Sequence, residues 1–356
     1  MTKILFLTPY PTNSAPSQRF RFEQYFSFFK NENIDYDTLS FLDEATWKIF
    51  YQKGFLLKKT LGILKGLLNR HLLLLKIHQY DKLFIHREAA MVGPAYFEWI
   101  YSKLFKKEII FDFDDAIWLK DVSNANQNLS WLKFPNKTKS IIAYSKTIIA
   151  GNTFLSNYAK QFNANVYVIP TTIDTNYHYP SKKTISDTIK IGWTGSSTTN
   201  KHLELISDVL QHITQTYSNV KIIMISNQPI ISSNFKLKFV EWKQSSEIED
   251  LSQIDIGIMP LPDNEWAKGK CGFKGLQYMA LEIPTIMSPV GVNTEIIQDG
   301  KNGFLASNKS EWISKLSALI ESKELREELG KNGRKTIEDN YSVNAHKDFL
   351  ISLIKH

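Results

Sequence analysis

Asp255-Ile-Gly-Ile-Met-Pro-Leu-Pro-Asp-Asn-Glu-Trp-Ala-Lys-Gly-Lys-Cys-Gly-Phe-Lys-Gly-Leu-Gln-Tyr-Met-Ala280 reads as one strand, one loop and one helix. The β-branched run at 254–259 stops at a loop of prolines, glycines and lysines, and a helix begins near Gly272. Outward from this stretch the same alternation repeats, with short strand-like runs at 189–193, 221–226, 238–241 and 284–287. A second series lies before it, at 3–8, 82–86, 109–113, 147–150 and 166–169. Amphipathic segments between the runs mark parallel β-α-β units.

Two such series predict an α/β chain of two facing, Rossmann-like, doubly wound parallel-sheet domains with a cleft between them. A length of 356 residues agrees, since single cores stop growing near this size. The stretch before 187 is rich in Pro, Thr, Ser, Asn and Tyr and lacks apolar periodicity. The expected division is therefore an acceptor-side domain at 1–170, a linker at 171–186, a second domain at 187–340 and a closing helix at 341–356.

Composition excludes several classes. With 43% hydrophobic and 22% charged residues the chain is neither disordered nor low in complexity. The single cysteine, Cys271, rules out an internal disulfide and fits a reducing compartment. The opening apolar run ends at Thr8 and Pro9, too short for a signal-peptide core, so a cytoplasmic protein is expected. A net charge of +7 allows nucleic acid, an anionic membrane face or anionic small substrates. Nucleic acid is set aside because the basic residues are scattered and no zinc-finger or RNA-binding signature occurs.

The segment 56–79 stands apart, with repeated leucines broken by Lys58, Lys59, Lys65 and Arg70. It reads as one or two basic amphipathic helices. These either lie peripherally in the headgroup region of an anionic leaflet or pack on the sheet with solvated lysines. The segment is too interrupted to span a bilayer.

Chemistry is expected on loops after strands. Lys268, Lys270 and Lys274 join the free amides of a helix starting near Gly272, a natural cradle for a diphosphate, and Gln277 shares the helix face of Lys274. Gly195, Ser196, Ser197 and Thr198 follow a strand and form either a phosphate nest or a plain helix cap. Asp114 and Asp115 follow another strand as adjacent carboxylates. Arg19 and Arg21 follow the first strand, where a bidentate fork suits an anionic acceptor or a surface ion pair. His86 and Arg87 end a further strand and are placed with the acceptor residues.

Six stretches in order resemble glycosyltransferase family 4, the retaining enzymes of GT-B fold: Asp112-Phe-Asp-Asp-Ala-Ile-Trp118, Ala150-Gly-Asn152, Ile169-Pro-Thr-Thr-Ile-Asp174, Ile191-Gly-Trp-Thr-Gly-Ser196, Gly269-Lys-Cys-Gly-Phe-Lys274 and Ser288-Pro-Val-Gly291. The resemblance implies a nucleotide-diphosphate sugar as co-substrate, held by the C-terminal domain, and a saccharide or lipid-linked acceptor at the N-terminal one. It implies Lys274 and Lys270 at the leaving diphosphate, Asp114 or Asp115 near donor sugar or acceptor hydroxyl, and Lys201, Gly291 and Glu295 at the nucleotide. No cofactor and no metal are expected on this resemblance. Two departures stand out: Gly269 and Gln277 occupy positions where many relatives carry glutamates, and Ser196 replaces an arginine. A nucleotide-sugar epimerase or hydrolase and a non-catalytic sugar-binding protein remain as alternatives.

Overall fold

The computed structural model describes residues 2–119, 134, 136–181, 186–230 and 234–356. Residues 182–185 of the expected linker lie outside the described residues. The chain divides into two compact units, one of residues 1–171 with 346–356, the other of residues 172–345.

The first unit is built on six parallel strands: β1 (Thr2–Thr8), β2 (Ile34–Ser40), β3 (Lys82–His86), β4 (Glu108–Phe113), β5 (Thr147–Ala150) and β6 (Val166–Val168). Their order is β2-β1-β3-β4-β5-β6. Strand β2 was not expected from the sequence. Its alternation of Asp35 and Asp37 with Tyr36 and Thr38 gives an edge strand that is largely half-exposed, without the apolar run of its neighbours.

Aromatic side chains fill this core. Phe6 on β1 stands 4.7 Å from Phe84 on β3 and 5.4 Å from Phe22, while Phe26 stacks on Tyr36 at 4.2 Å. Each ring pair adds about 0.5–1.5 kcal/mol beyond its buried area. Residues 346–356 pack here as well: Lys355 pairs with Glu32 at 2.6 Å, and Tyr167 meets Phe349 edge-on at 5.8 Å.

The second unit has six parallel strands, β7 (Ile189–Gly195), β8 (Val220–Ser226), β9 (Leu237–Glu241), β10 (Ile256–Met259), β11 (Thr285–Met287) and β12 (Phe304–Leu305), ordered β12-β11-β10-β7-β8-β9. One face buries Ile191, Trp193, Leu210, Ile258, Ile286 and Leu316 together. The two-residue β12 was too short to read as a strand.

Both orders reverse once. In the first unit the direction of winding changes between β1 and β3, and in the second between β7 and β10. At such a reversal the loops leaving the two strands diverge to opposite faces, which opens a crevice at their carboxyl ends. The loops after β1, β3, β7 and β10 are therefore the ones to inspect.

Candidate functional site

In the second unit, β10 leads through Pro260–Pro262 to Asn264. Its side chain accepts the Ala267 amide at 2.9 Å and starts the short helix Glu265–Lys268. The chain then turns at Gly272, whose φ of +69° is left-handed, into the helix Phe273–Ala280. A Cβ at Gly272 would also lie 2.3 Å from Ile296 Cδ1, so glycine is required twice over.

This turn places two lysines over indole faces. Lys270 Nζ lies 4.6 Å from the Trp266 ring centroid and Lys274 Nζ 5.6 Å from that of Trp193, near the end of β7. Tyr278, on the same helix, accepts the Thr194 amide at 2.7 Å and so joins the helix to the end of β7. Burial pushes the pKa of its phenol well up, which keeps it neutral in that bond.

Behind these lysines sits His202, which the sequence did not single out. It is buried, and its Nδ1 has no hydrogen-bond partner among the described residues. Burial, then the charges of Lys274, Lys201 and Lys270, bring its pKa down from 6.5 to about 4. The three lysines thus converge electrostatically at the β7/β10 reversal. Lys201 itself is exposed on the short helix after β7.

The turn that carries Gly195 to Thr198 is tied internally. The Ser196 amide donates to Thr199 Oγ1 at 3.1 Å, the Ser197 amide to Asn227 Oδ1 at 2.7 Å, and the Ser196 and Thr198 hydroxyls share a 2.8 Å bond. Gln277 is buried, its Nε2 lying 3.4 Å from both Glu247 Oε1 and His178 Nε2. Gly291 adopts a φ of +55° in the loop after β11, and Glu295 is exposed on the short helix that follows. After burial itself, the charge of Glu295 helps to raise the Tyr341 pKa to about 12.

In the first unit the charges are arranged differently. Arg21 is buried; its Nη2 donates to Asp112 Oδ1 at 2.5 Å, and its Nη1 donates to the Ile169 carbonyl. The other carboxylate oxygen of Asp112 lies 2.7 Å from His86 Nδ1. Burial alone would raise the Asp112 pKa, but the Arg21 charge and the His86 hydrogen bond outweigh it and hold the carboxyl below its ordinary 3.8.

His86 Nε2 has no hydrogen-bond partner among the described residues and stands 4.0 Å from Asp114 Oδ1. Arg87, at φ +61°, turns its guanidinium back to Asp114 (Nε–Oδ1 2.9 Å) and Asp115 (Nη2–Oδ2 2.6 Å). Burial opposes the Arg87 charge, yet the two carboxylates more than compensate and raise its pKa well above the usual value. Arg19 is half-buried, its guanidinium 5.0 Å from the Phe20 ring.

The loop between β1 and Arg21 is stapled by Gln18. This side chain accepts the Tyr10 amide and donates to the Tyr10 carbonyl, both at 3.0 Å, and donates to Glu23 at 3.0 Å. The structure thus gathers Arg21, His86, Arg87, Asp114 and Asp115 at the carboxyl ends of β1, β3 and β4. It gathers Lys201, Lys270, Lys274 and Gly195 at those of β7 and β10.

Comparisons with known proteins bear on the fold and the family. The family described as Glycosyl transferases group 1 matches residues 188–322. Spore coat protein SA of Bacillus subtilis is 35% identical over 78 residues, 21% of each chain. The capsular polysaccharide biosynthesis glycosyltransferase CapM of Staphylococcus aureus is 22% identical over 181 residues, 48% of this chain and 46% of that one. The matched stretches thus span less than half of either relative.

Among solved structures, sucrose-phosphate synthase from Thermosynechococcus elongatus aligns with a TM-score of 0.73 at 12% identity, over 100% of this chain and 98% of that one. HepE of Anabaena, solved with UDP and glucose, aligns with a TM-score of 0.66 at 13% identity over the whole of both chains.

Proposed function

Residues 188–322 being a glycosyl transferases group 1 domain within a chain of GT-B fold, we propose that the protein transfers a sugar, with retention, from a nucleotide-diphosphate sugar to a saccharide or lipid-linked saccharide. One observation carries the reading. Lys270 and Lys274, following β10, lie on the indole faces of Trp266 and Trp193 at the β7/β10 reversal, and together with Lys201 their charges add to burial in lowering the pKa of His202. A diphosphate supplies the matching negative charge.

Cleavage of the sugar–phosphate bond leaves an extra negative charge on the departing phosphate oxygen. Lys274 and Lys270 stabilise that charge more strongly than the ground state, which lowers the barrier without proton transfer. Trp193 and Trp266 orient the two ammonium groups from beneath. Gly272 aims the amides at the start of the helix Phe273–Ala280 toward the same anion. In this reading Gln277 serves the ribose as a neutral donor or acceptor, with Ser196, Ser197, Thr198, Gly291 and Glu295 on the donor side.

The first unit takes the acceptor. Asp114, more exposed than His86, has His86 Nε2 4.0 Å from its Oδ1 and Arg87 on the same carboxylate, and is the group offered to an acceptor hydroxyl. Arg19 suits an anionic acceptor such as a diphosphate-linked saccharide, whereas Arg87 is already paired with Asp114 and Asp115 and holds those carboxylates in place. Such an acceptor places the reaction in surface polysaccharide synthesis at the cytoplasmic face of a membrane. CapM, one of the similar proteins, carries capsular polysaccharide biosynthesis in its name.

A thermal-shift screen across nucleoside diphosphates and their sugars identifies the donor. With that donor, Lys274→Ala should lower transfer about 100- to 1000-fold while leaving the melting temperature near that of the parent. Near-normal transfer by this variant would remove Lys274 from the mechanism. A second reading, a nucleotide-sugar binder without turnover, draws on the engagement of Gln277 with Glu247 and His178 inside the unit. Binding of donor with no transfer to any acceptor extract would favour it.

A further inference from the structure

The helix Leu56–Leu73 is built inside out. Lys59, Gly62, Gly66, Arg70 and Leu73 are its buried residues. The glycines permit the contact: a Cβ at Gly66 would lie 2.5 Å from the Phe41 carbonyl oxygen, and one at Gly62 2.2 Å from Thr46 Oγ1. The outer face carries Leu57, Leu61, Leu64, Leu68 and Leu72, continued by Leu75 in the turn beyond, each 50 to 74% exposed. They recur every three or four residues, forming a stripe along a helix about 27 Å long.

The apolar surface continues past the helix. The His71 ring lies 6.0 Å from Tyr96 and 4.9 Å from Phe97. Tyr96 and Trp99 are exposed and line a groove of about 240 Å³ with Tyr144. Leu104 and Phe105 follow, exposed between Lys103 and Lys106. Charge is one-sided throughout the helical region: no Asp or Glu occurs between Glu44 and Asp81, while Lys48, Lys53, Lys58 and Lys76 are exposed. Contiguous apolar surface of this extent marks an interaction site.

We propose that this face docks on an anionic bilayer leaflet, with the leucines at the acyl boundary, Tyr96 and Trp99 at headgroup depth and the lysines on lipid phosphates. Leucines flanked by lysines and by interfacial aromatics match that boundary layer, apolar on one side and anionic on the other. The proposal gives the functional reading above a location, since it brings the chain to lipid-linked acceptors, and rests on that reading for its purpose alone.

The helix is also joined to the candidate acceptor loops. From its inner face Arg70 donates to the carbonyls of Ala89 at 2.6 Å, Leu39 at 3.1 Å and Thr8 at 3.2 Å. Docking therefore fixes the loops after β1 and β3 relative to the bilayer surface.

Vesicle co-sedimentation of the full chain tests this. The parent should bind phosphatidylcholine vesicles containing phosphatidylglycerol, bind pure phosphatidylcholine far less, and dissociate as salt rises. Combined Leu61→Ser, Leu64→Ser and Leu68→Ser should weaken binding at least ~10-fold with an unchanged circular dichroism spectrum. Combined Lys53→Gln, Lys58→Gln and Lys76→Gln should weaken it ~10- to 100-fold at low salt. Lys274→Ala should bind vesicles as the parent does, so loss of the transferase reading would leave docking intact. Absence of binding to the anionic vesicles, or equal binding by the leucine variant, overturns the proposal. So does parent protein that self-associates in sedimentation velocity while the leucine variant stays monomeric.

Discussion

In the first unit Arg21, Asp112 and His86 close on one another, and Arg87 folds back onto Asp114 and Asp115, so that opposite charges meet within hydrogen-bond reach. In the second, Lys201, Lys270 and Lys274 reinforce one another around His202, and Lys270 and Lys274 rest on indole faces. Both arrays sit where the strand order reverses, yet in the first opposite charges meet in pairs, while in the second two ammonium groups lie on indole faces. An internally compensated array orients groups and holds the fold. Lysine charges around a buried histidine raise the cost of protonating it.

The sharpest way to break this contrast is to unbalance the compensated side. Asp112→Ala leaves the buried Arg21 guanidinium without its carboxylate and should destabilise the first unit by about 3–5 kcal/mol, read by chemical denaturation. A loss below ~1 kcal/mol would mean that the pair is not structural. On the second side, Gly272→Ala forces a left-handed φ on a residue with a Cβ and pushes that Cβ against Ile296. It should cost about 1–3 kcal/mol and weaken donor binding through the displaced turn. Unchanged nucleotide affinity in that variant would separate the turn from the anion site.

Acid gives the finest discrimination. The folded-state pKa of His202, about 4, lies below its ordinary 6.5, so protonation favours the unfolded chain, and the second unit weakens as pH falls from 6.5 toward 4. Asp112 is held below 3.8, so its stabilisation of the first unit is intact above that value and is lost only as pH falls further. Hydrogen exchange followed against pH should therefore show residues 172–345 loosening first. A bound nucleoside diphosphate should raise the His202 pKa, visible as a shifted imidazole titration by NMR; an unmoved titration would place the anion elsewhere.

Much of the fold was legible because its strands are short buried runs of Ile, Val, Phe and Leu, and burial on both faces leaves a continuous apolar signature. Strand β2 escaped because its pattern is that of an edge, with aspartates at 35 and 37. The site was legible to the extent that chemistry is local. Trp266 precedes Lys270 by four residues, but Trp193 reaches Lys274 only through the β7/β10 pairing.

The pairing of His86 with Asp112 follows from β3/β4 register, which brings residues 26 positions apart directly opposite, and no spacing rule predicts it. His202 was hidden for a different reason. A histidine next to an exposed lysine gives no sign that it is buried, nor that two more lysines arrive from a loop and helix some seventy residues away.

The division of the chain also sets an order of synthesis. Residues 172–345 are one uninterrupted segment, whereas the other unit needs both 1–171 and 346–356. As the polypeptide leaves the ribosome, the unit of residues 172–345 can close as soon as its own last strand and helices have emerged. The earlier-made unit must wait, without partners for Phe28, Glu32 and Tyr167, until the segment bearing Lys347, Phe349 and Lys355 follows. The half of the protein translated first is thus the half completed last.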